Sequence, residues 1–307
     1  MSLLVPDKRD HQDAHGDLDQ DEKYHFHLAQ TSPKWTFEPV DGFFLQSDTE
    51  TNDMEFRYTL QDFGICKPWT ELVTHLDKLN SEAETGVKYR LLFLARHGQG
   101  WHNVVTKKYS KSEWFSKWRY IGTDGDLVWG TDAKLTQLGI DQAVENHQAW
   151  KLQLAKGCPI PQRFYVSPLS RSINTHNITW PNTTPIVVDN LRETIGVHLC
   201  HKRNTRTGIL ESFPNVEFEP GFSEDDELFD KVYSDTREEL HQQFLRIHGV
   251  LSDLFDRDES VVSITSHAGT IRSFITVIGH RKFTIPTGGM IPIVVKGVEQ
   301  KNKLIDL

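Results

Sequence analysis

From residue 87 onward, short apolar runs alternate with stretches whose apolar residues recur at helical spacing. Runs of four to seven residues, rich in branched and aromatic side chains, have the character of buried strands. They span residues 89–95, 163–167, 185–188 and 261–266, with a fifth candidate at 291–295. Strands that alternate with helices predict a mostly parallel sheet covered on both faces, which is a three-layer α/β/α sandwich.

The helices between these runs have recognisable start and stop signals. Thr136 is a suitable N-cap for a helix that reaches about residue 155. Asp235 and Glu238 have the spacing of a capping box ahead of a helix with one apolar face. Gly279 is expected to end a helix that begins near residue 269.

The first 86 residues have a different composition. Residues 1–25 contain seven acidic and three basic side chains without an apolar period, which predicts a mobile acidic tail. Residues 26–86 are rich in aromatics and predict an ordered extension packed on the core, with a helix from 69 to 79. Residues 87–307 then form the domain that carries the chemistry.

A segment at 104–131 carries three tryptophans and follows the first strand. We interpret it as an insertion near the rim of a site. Trp114, Trp118 and Trp129 either form a lid over that site or pack as a small core, and core packing is the more common fate of tryptophan.

The net charge of −9 argues against a general nucleic-acid or anionic-membrane binder, because such proteins need a positive surface. Three widely spaced cysteines, Cys66, Cys158 and Cys200, form neither a disulfide framework nor a zinc motif, and we expect reduced, buried thiols. The N-terminus has no apolar signal core, and no stretch approaches the ~20 apolar residues of a membrane span. We therefore expect a soluble cytoplasmic protein, with the nucleus as the alternative compartment; the oligomeric state is not indicated.

Chemically reactive side chains follow four of the predicted strands. The first strand ends at Arg96-His97-Gly98, and the second at a segment that ends in Arg171. The third leads to Glu193, and the fourth ends at His267. Because ligands of parallel sheets bind outside the carboxyl ends of the strands, we expect these residues to meet at one edge.

This set of residue types fits phosphoryl transfer. An imidazole nitrogen can attack phosphorus and divide one difficult hydrolysis into two easier steps. Arginines supply bidentate donors to the phosphoryl oxygens, and a second imidazole adds a further donor. A carboxylic acid can protonate the leaving oxygen and then deprotonate the attacking water. Such a set needs no metal ion and no organic cofactor, and its partner is a small phosphorylated substrate.

These motifs resemble the histidine phosphatase superfamily, also called phosphoglycerate-mutase-like proteins. The matches are Arg96-His97-Gly98, Asn103, Arg171, Glu193, His267 and the helix-entry run 132–143. The resemblance covers roughly residues 88–297. It implies nucleophilic attack by His97, a phosphohistidine intermediate and the α/β/α fold, with Asn103 at the substrate. The segment 39–46 in the extension resembles fungal phosphomutase-like phosphatases.

Two departures from the mutase pattern favour hydrolysis. Gln99-Gly100 stands where many mutases and bisphosphatases have Glu-Ser after the motif, and no segment matches the one that retains a bisphosphate in mutases. We therefore predict a metal-independent phosphomonoesterase. The alternatives are a phosphoglycerate-type mutase and a phosphate-binding regulatory protein with little turnover.

Some assignments stay open at this stage. Glu193 is the preferred proton donor, although Asp189 and Glu211 are near in sequence. The basic stretch 197–206 either binds an anionic substrate through Lys202, Arg203 and Arg206 or is a solvated charge run. His198 and His201 flank Cys200 but lack the partner cluster of a zinc site. His102 either touches substrate or has an incidental polar role.

Overall fold

A computed structural model of the chain describes residues 1–300, so residues 301–307 of the predicted catalytic domain lie outside the described part. A seven-stranded sheet forms its centre, with the strand order β1-β7-β2-β6-β3-β4-β5. Strands β2 to β6 run parallel to one another, whereas β7 is antiparallel to β2 and β1 is antiparallel to β7. The strands are β1 (Trp35–Pro39), β2 (Val87–Arg96), β3 (Arg163–Val166), β4 (Ile186–Val187), β5 (Glu217–Phe218), β6 (Val261–Ser266) and β7 (Met290–Glu299).

Ten α-helices surround or extend from this sheet in the described residues. They are α1 (Lys8–His15), α2 (Leu18–Ala29), α3 (Trp69–Ser81), α4 (Trp101–Lys108), α5 (Lys111–Ser116), α6 (Gln137–Ala155), α7 (Ser170–Thr179), α8 (Arg206–Ser212), α9 (Leu240–Asp256) and α10 (Ala268–Ile278). None of these helices is long and apolar enough to cross a membrane.

Strand β2 shows how the sheet is covered on both faces. Phe93 packs edge-on against Trp150 of α6 and lies 6.1 Å from the ring of Trp69 in α3. Arg90 is three positions before Phe93, so its side chain points to the opposite face of the sheet. There its guanidinium lies over the ring of Phe255 in α9. Helices α3 and α6 therefore cover one face and α9 the other, which confirms the predicted three-layer α/β/α architecture with a mostly parallel sheet.

The strong sequence signals are confirmed in place. Strand β6 has the predicted bounds, and Thr136 caps α6 by accepting a hydrogen bond from the backbone N–H of Gly139. Gly279 ends α10 in the left-handed conformation, with φ 78°. The proposed capping box before α9 is wrong, because α9 begins at Leu240 after Glu239. The carboxylate of Glu238 instead accepts hydrogen bonds from Arg246 and from the backbone of Ile195.

The N-terminal 29 residues, which we call the N-terminal strap, differ from the predicted mobile tail. They contain α1 and α2, and Leu4 and Tyr24 are buried with 1% exposure. Helix α1 has a full capping box, in which Asp7 accepts from the backbone N–H of Asp10 and Asp10 accepts from that of Asp7. Several charges of the strap therefore form helix caps and specific ion pairs with the rest of the chain.

Two sets of contacts fasten the strap to the rest of the chain. Arg272 of α10 donates to backbone carbonyls at the end of α1, where a cation complements the helix dipole. Asp53 of the extension accepts hydrogen bonds from Thr284 and lies 2.7 Å from His15. The extension itself adds β1 to the central sheet, and the boundary near residue 86 stays a prediction.

The insertion tryptophans pack as a small core of their own. Trp129 is fully buried and Trp114 nearly so, together with Val105, Ala133 and Cys200. Trp118 packs edge-on against Trp129. Of the three free cysteines, Cys158 and Cys200 are buried as expected, whereas Cys66 is exposed.

Candidate active site

The residues predicted at the strand ends come together at the carboxyl edge of the sheet. Arg96 is the last residue of β2, and His97 follows it. The ring of His267, which follows β6, lies 5.0 Å from that of His97. Arg171, in the first turn of α7 after β3, places its Nε atom 3.3 Å from His97 Nε2. The parallel order of β2, β6 and β3 accounts for this convergence.

His97 is held as a neutral imidazole whose lone pair is on Nε2. Its Nδ1–H donates to the carbonyl of Gly98 at 2.6 Å, so Nε2 carries the lone pair and accepts from Arg171. Its backbone N–H donates to the carbonyl of Ser266, and its carbonyl accepts from the N–H of Gly288. Burial, together with the positive charges of Arg171 and Arg96, holds the pKa of His97 well below its usual range. This is the protonation state that a nitrogen nucleophile requires.

Arg171 is fully buried and has one unused donor. Its Nη1 donates to the carbonyl of Cys200 at 3.0 Å, while Nη2 is buried without a hydrogen-bond partner among the described residues. A buried orphan donor beside a nucleophile is a natural place for an anionic oxygen.

Asp132 fixes the start of the helix that carries Arg171. Its carboxylate accepts from the backbone N–H and the hydroxyl of Ser170, at 2.8 and 2.5 Å, and from Asn204 at 2.8 Å. Burial raises the pKa of Asp132 to about 6, although Ser170 and the charge of Arg171 act against that rise. Burial thus disfavours the charged form of Asp132, while the hydrogen bonds of its carboxylate position the start of α7.

A carboxylate of the N-terminal strap orients the guanidinium of Arg96. Its Nη1 donates to Asp10 Oδ1 at 2.7 Å and to the carbonyl of Ile285 at 2.7 Å, and both ion-pair side chains are nearly buried. Burial would lower the pKa of Arg96, but the carboxylate of Asp10 outweighs it and raises the pKa above its usual value. The rest of the guanidinium, including a buried Nε without a partner, remains for a ligand.

His267 and Glu193 complete the predicted set. His267 is fully buried, and its Nε2 lies 2.7 Å from the hydroxyl of Ser167. Burial and the charge of Arg171 hold its pKa well below the usual range, so an added anion is needed to protonate it. Glu193 is half-buried and accepts from the backbone N–H of Thr194 at 3.1 Å.

Gly269 makes room for the carboxylate of Glu193. A Cβ atom at this position in the first turn of α10 would lie 2.5 Å from Glu193 Oε1. The N–H of Gly98 donates to the hydroxyl of Thr175. A Cβ at Gly98 would lie 2.2 Å from the carbonyl of Gly139, so this glycine allows α6 to approach the motif.

The basic stretch at 197–206 is mostly structural. All the donor nitrogens of Arg203 are engaged with Asp189, the hydroxyl of Ser223 and nearby carbonyls. Lys202 pairs with Asp230 at 2.5 Å, and exposed Arg206 stacks on Phe218. The substrate-binding role that the sequence predicts for these three residues differs from what they contact in the structure. The side chain of Asn103 likewise accepts from the backbone N–H of Gly100, at the start of α4.

Four residues that sequence reasoning missed or left open lie around the predicted set. His102 is buried, and its ring lies 5.3 Å from that of His97. Asp10 contacts Arg96, as described above. Burial lowers the pKa of both His198 and His201; the positive charge of Arg237 lowers both further, and that of Arg119 lowers the pKa of His198. The spacing of Asp7 and Asp10 could have indicated the helix of Asp10, but nothing local indicated its partner.

Comparisons with known proteins agree with the resemblance. The model of the histidine phosphatase superfamily (branch 1) matches residues 92–286. A probable phosphoglycerate mutase of Arthroderma benhamiae is 34% identical over 293 residues, which cover 87% of this chain and 86% of that protein. Phosphomutase-like protein 3 of Candida albicans is 35% identical over 280 residues, which cover 88% of this chain and 83% of the relative.

Among solved structures, a phosphoserine phosphatase mutant from Entamoeba histolytica, in complex with phosphoserine, matches with a TM-score of 0.38 and 16% identity. The match covers 67% of this chain and 94% of that one. A mycobacterial glucosyl-3-phosphoglycerate phosphatase in complex with vanadate matches with a TM-score of 0.36 and 20% identity, covering 60% and 79% of the two chains.

Proposed function

The chain belongs to the histidine phosphatase superfamily, and from this premise we propose that it is a metal-independent phosphomonoesterase that acts through a phosphohistidine on a small phosphorylated metabolite. The observation that carries the proposal is the state of His97. Its Nδ1–H is committed to Gly98, its Nε2 lone pair faces Arg171, and its pKa is low.

In the first step, His97 Nε2 attacks the phosphorus of the bound ester. A P–N bond forms while the P–O bond to the leaving group breaks. Arg96 and the free Nη2 of Arg171 stabilise the charge on the phosphoryl oxygens, as guanidinium groups do in other phosphoryl-transfer sites. Glu193 gives its proton to the leaving oxygen, so the alcohol departs neutral.

In the second step, water replaces the alcohol in the same position. Glu193, now a carboxylate, takes a proton from the water as its oxygen attacks phosphorus. The P–N bond breaks, inorganic phosphate forms, and His97 returns to the neutral state. His267 becomes a donor to the phosphoryl oxygens when the anion is present, because a nearby dianion raises an imidazole pKa.

The decisive test is phosphate release from an aryl phosphate in the presence of a chelator. Replacing His97 by Ala removes the nucleophile and should lower kcat by about 1,000-fold or more. His75→Ala, at an exposed position on α3, is the matched control and should keep full activity. Equal rates for the wild type and His97→Ala would end the proposal, provided that circular dichroism shows both folded.

The names of the curated relatives favour a second candidate, a phosphoglycerate-type mutase. Against it, Gln99 is tied to Thr136 and Gln142 rather than left free at the site. Direct assay of 3- to 2-phosphoglycerate conversion separates the two activities. Tight phosphate binding without turnover on any ester would instead favour the regulatory alternative.

A further inference from the structure

Two histidines of the N-terminal strap stand one turn apart on α1. His11 and His15 are four positions apart, and their rings stack with centroids 4.3 Å apart and planes inclined by 16°. Residues at this spacing lie on the same side of a helix, so both imidazoles project from one side of α1. Two histidines arranged in this way can bind one metal ion together.

A carboxylate from another segment meets this pair. Asp53 of the extension lies 2.7 Å from His15 Nε2, and one potential ligand atom from each of the three side chains lies within 4.8 Å of the other two. The side chain of Asp53 is 10% exposed and that of His15 is 30% exposed, whereas His11 is an exposed residue. The three residues therefore form a partly buried cluster that is open to solvent at His11.

The carboxylate of Asp53 is held in a fixed orientation with one oxygen to spare. Its Oδ2 accepts hydrogen bonds from the backbone N–H and from the hydroxyl of Thr284 and contacts His15, while its Oδ1 has no hydrogen bond to a described residue. Hydrogen bonds that orient a ligating carboxylate are a regular part of metal sites. Asp53 can therefore offer an oriented oxygen to a cation.

The ring of His11 is unused in the part of the chain that the structure describes. Its backbone N–H donates to the carbonyl of Asp7 within α1, but the imidazole forms no hydrogen bond among residues 1–300. An ordinary ion pair between His15 and Asp53 accounts for two members of the cluster and gives His11 no part in it. A shared cation accounts for all three.

We propose that His11, His15 and Asp53 bind one zinc ion, with water completing the coordination. Two imidazoles and one carboxylate suit Zn²⁺ rather than Mg²⁺ or Ca²⁺, which prefer oxygen ligands alone. At metal–ligand bonds of about 2 Å, the three ligand atoms must lie roughly 3–3.5 Å apart, and rotation of the exposed ring of His11 brings it into reach. His15 then carries its proton on Nδ1, so that the lone pair of Nε2 faces the ion.

The ion ties the strap to the extension and takes no part in the reaction. His11 directly follows Asp10, the partner of Arg96, but it projects from α1 about 100° away from Asp10. An ion that binds only when α1 is docked stabilises the docked state in proportion to the logarithm of its concentration. The inference goes beyond the proposed phosphatase and holds whether or not that activity is found.

Calorimetric titration of the chelator-treated, full-length protein with Zn²⁺ tests the site. His11→Ala, His15→Ala and Asp53→Asn should each weaken binding at least as much as loss of a group that orients a ligand does, which is about 10- to 100-fold. His25→Ala, at an exposed histidine of α2 in the same strap, is the matched control and should bind like the wild type. Cys66→Ser, which removes the exposed thiol, should also leave the affinity unchanged.

His11→Ala also separates metal binding from a merely structural role. Because its imidazole forms no hydrogen bond to a described residue, the Tm of His11→Ala in chelator should stay close to that of the wild type. Zn²⁺ at about 100 times its Kd should raise the Tm of the wild type and leave that of His11→Ala unchanged. A plain ion pair predicts instead that His15→Ala lowers the Tm in chelator and that zinc changes the Tm of neither protein.

Three results would overturn the proposal. The first is a wild type that does not bind Zn²⁺, and the second is a folded His11→Ala variant with wild-type affinity. The third is loss of binding in His25→Ala or Cys66→Ser, since the ion would then lie elsewhere. Neither titration nor Tm requires turnover, so a protein without phosphatase activity still gives a clear answer about the zinc site.

Discussion

Arg96 illustrates how one residue can be shared between structure and chemistry. One nitrogen of its guanidinium is fixed by Asp10 and by the carbonyl of Ile285. In the proposed reaction the rest of the guanidinium binds the phosphoryl group, and we expect Asp10 to act through Arg96, as a positioning residue. Its contribution should appear in kinetics and not only in stability.

Asp10→Asn should lower kcat/KM for an aryl phosphate by about tenfold, because a neutral amide orients a guanidinium less firmly than a carboxylate does. Asp10→Glu should recover part of the loss, and Asp126→Asn, an exposed acid in the insertion, is the control. Steady-state kinetics with separate kcat and KM values give the answer. A rise in kcat/KM would contradict the prediction and would mean that Asp10 competes with the substrate for Arg96.

Gly269 allows a second prediction at the residue scale. Gly269→Ala places a methyl group 2.5 Å from Glu193 Oε1 and should displace the carboxylate, lowering kcat by about 10- to 100-fold with little change in KM. Gly249→Ala in α9 is the matched control, since no heavy atom lies within 4 Å of its added Cβ and alanine favours helices. Wild-type kcat in Gly269→Ala would speak against Glu193 as the proton donor.

The sequence was sufficient to predict that the central residues of the site lie close together. His97, Arg171 and His267 follow strands with clear apolar patterns, and the geometry of parallel sheets then places them at one edge. Asp10 could not be predicted in this way. It lies far from Arg96 in the chain, and its contact with Arg96 depends on tertiary packing that has no local periodicity.

At the scale of elements, the start of α7 connects pH to stability. Asp132 has a pKa of about 6 in the folded chain, against 3.8 as its ordinary value. Between these values the native state binds more protons than the unfolded state, so the free energy of unfolding falls as pH rises. Protonation of Asp132 in the folded chain therefore contributes about 3 kcal/mol to the free energy of unfolding. This contribution is fully present below about pH 4 and is lost above pH 6.

Asp132→Asn removes this titration. The difference in unfolding free energy between the wild type and Asp132→Asn should therefore shift by about 2–3 kcal/mol between pH 4 and pH 7, with the wild type losing stability relative to the variant. Urea denaturation at several pH values measures this shift. Parallel pH profiles for the two proteins would show that Asp132 does not titrate in this range.

The elements that were hardest to predict from the sequence are those without a continuous apolar run or apolar face. Strand β6 was predicted in full because all its residues are apolar or small and every one is buried. Strand β1 was missed because its burial alternates and it ends in Pro39, which is tolerated only since β1 lies at the edge of the sheet. The charges of α1 resembled those of a solvated tail, yet Asp10 takes part in the capping box and pairs with Arg96.

At the scale of the whole molecule, the N-terminal strap contacts α6 and the loop before β7 next to His97. Leu4 packs over Gly288, whose N–H donates to the carbonyl of His97. The carbonyl of Leu3 accepts from Gln142, which also accepts from the N–H of Gln99. Docking of the strap and arrangement of the site are therefore expected to depend on each other.

Leu4→Ala tests this coupling, because the leucine is buried but lies away from the expected position of the substrate. Removing the side chain should weaken the docking of the strap by about 2–4 kcal/mol, so that Asp10 leaves Arg96 in part of the molecules. Activity should then fall, and the double variant with Asp10→Asn should be no worse than the more impaired single variant, since both act through one contact. Leu152→Ala, at an exposed leucine of α6, is the control, and additive losses in the double variant would show that the strap stabilises the protein without taking part in the site.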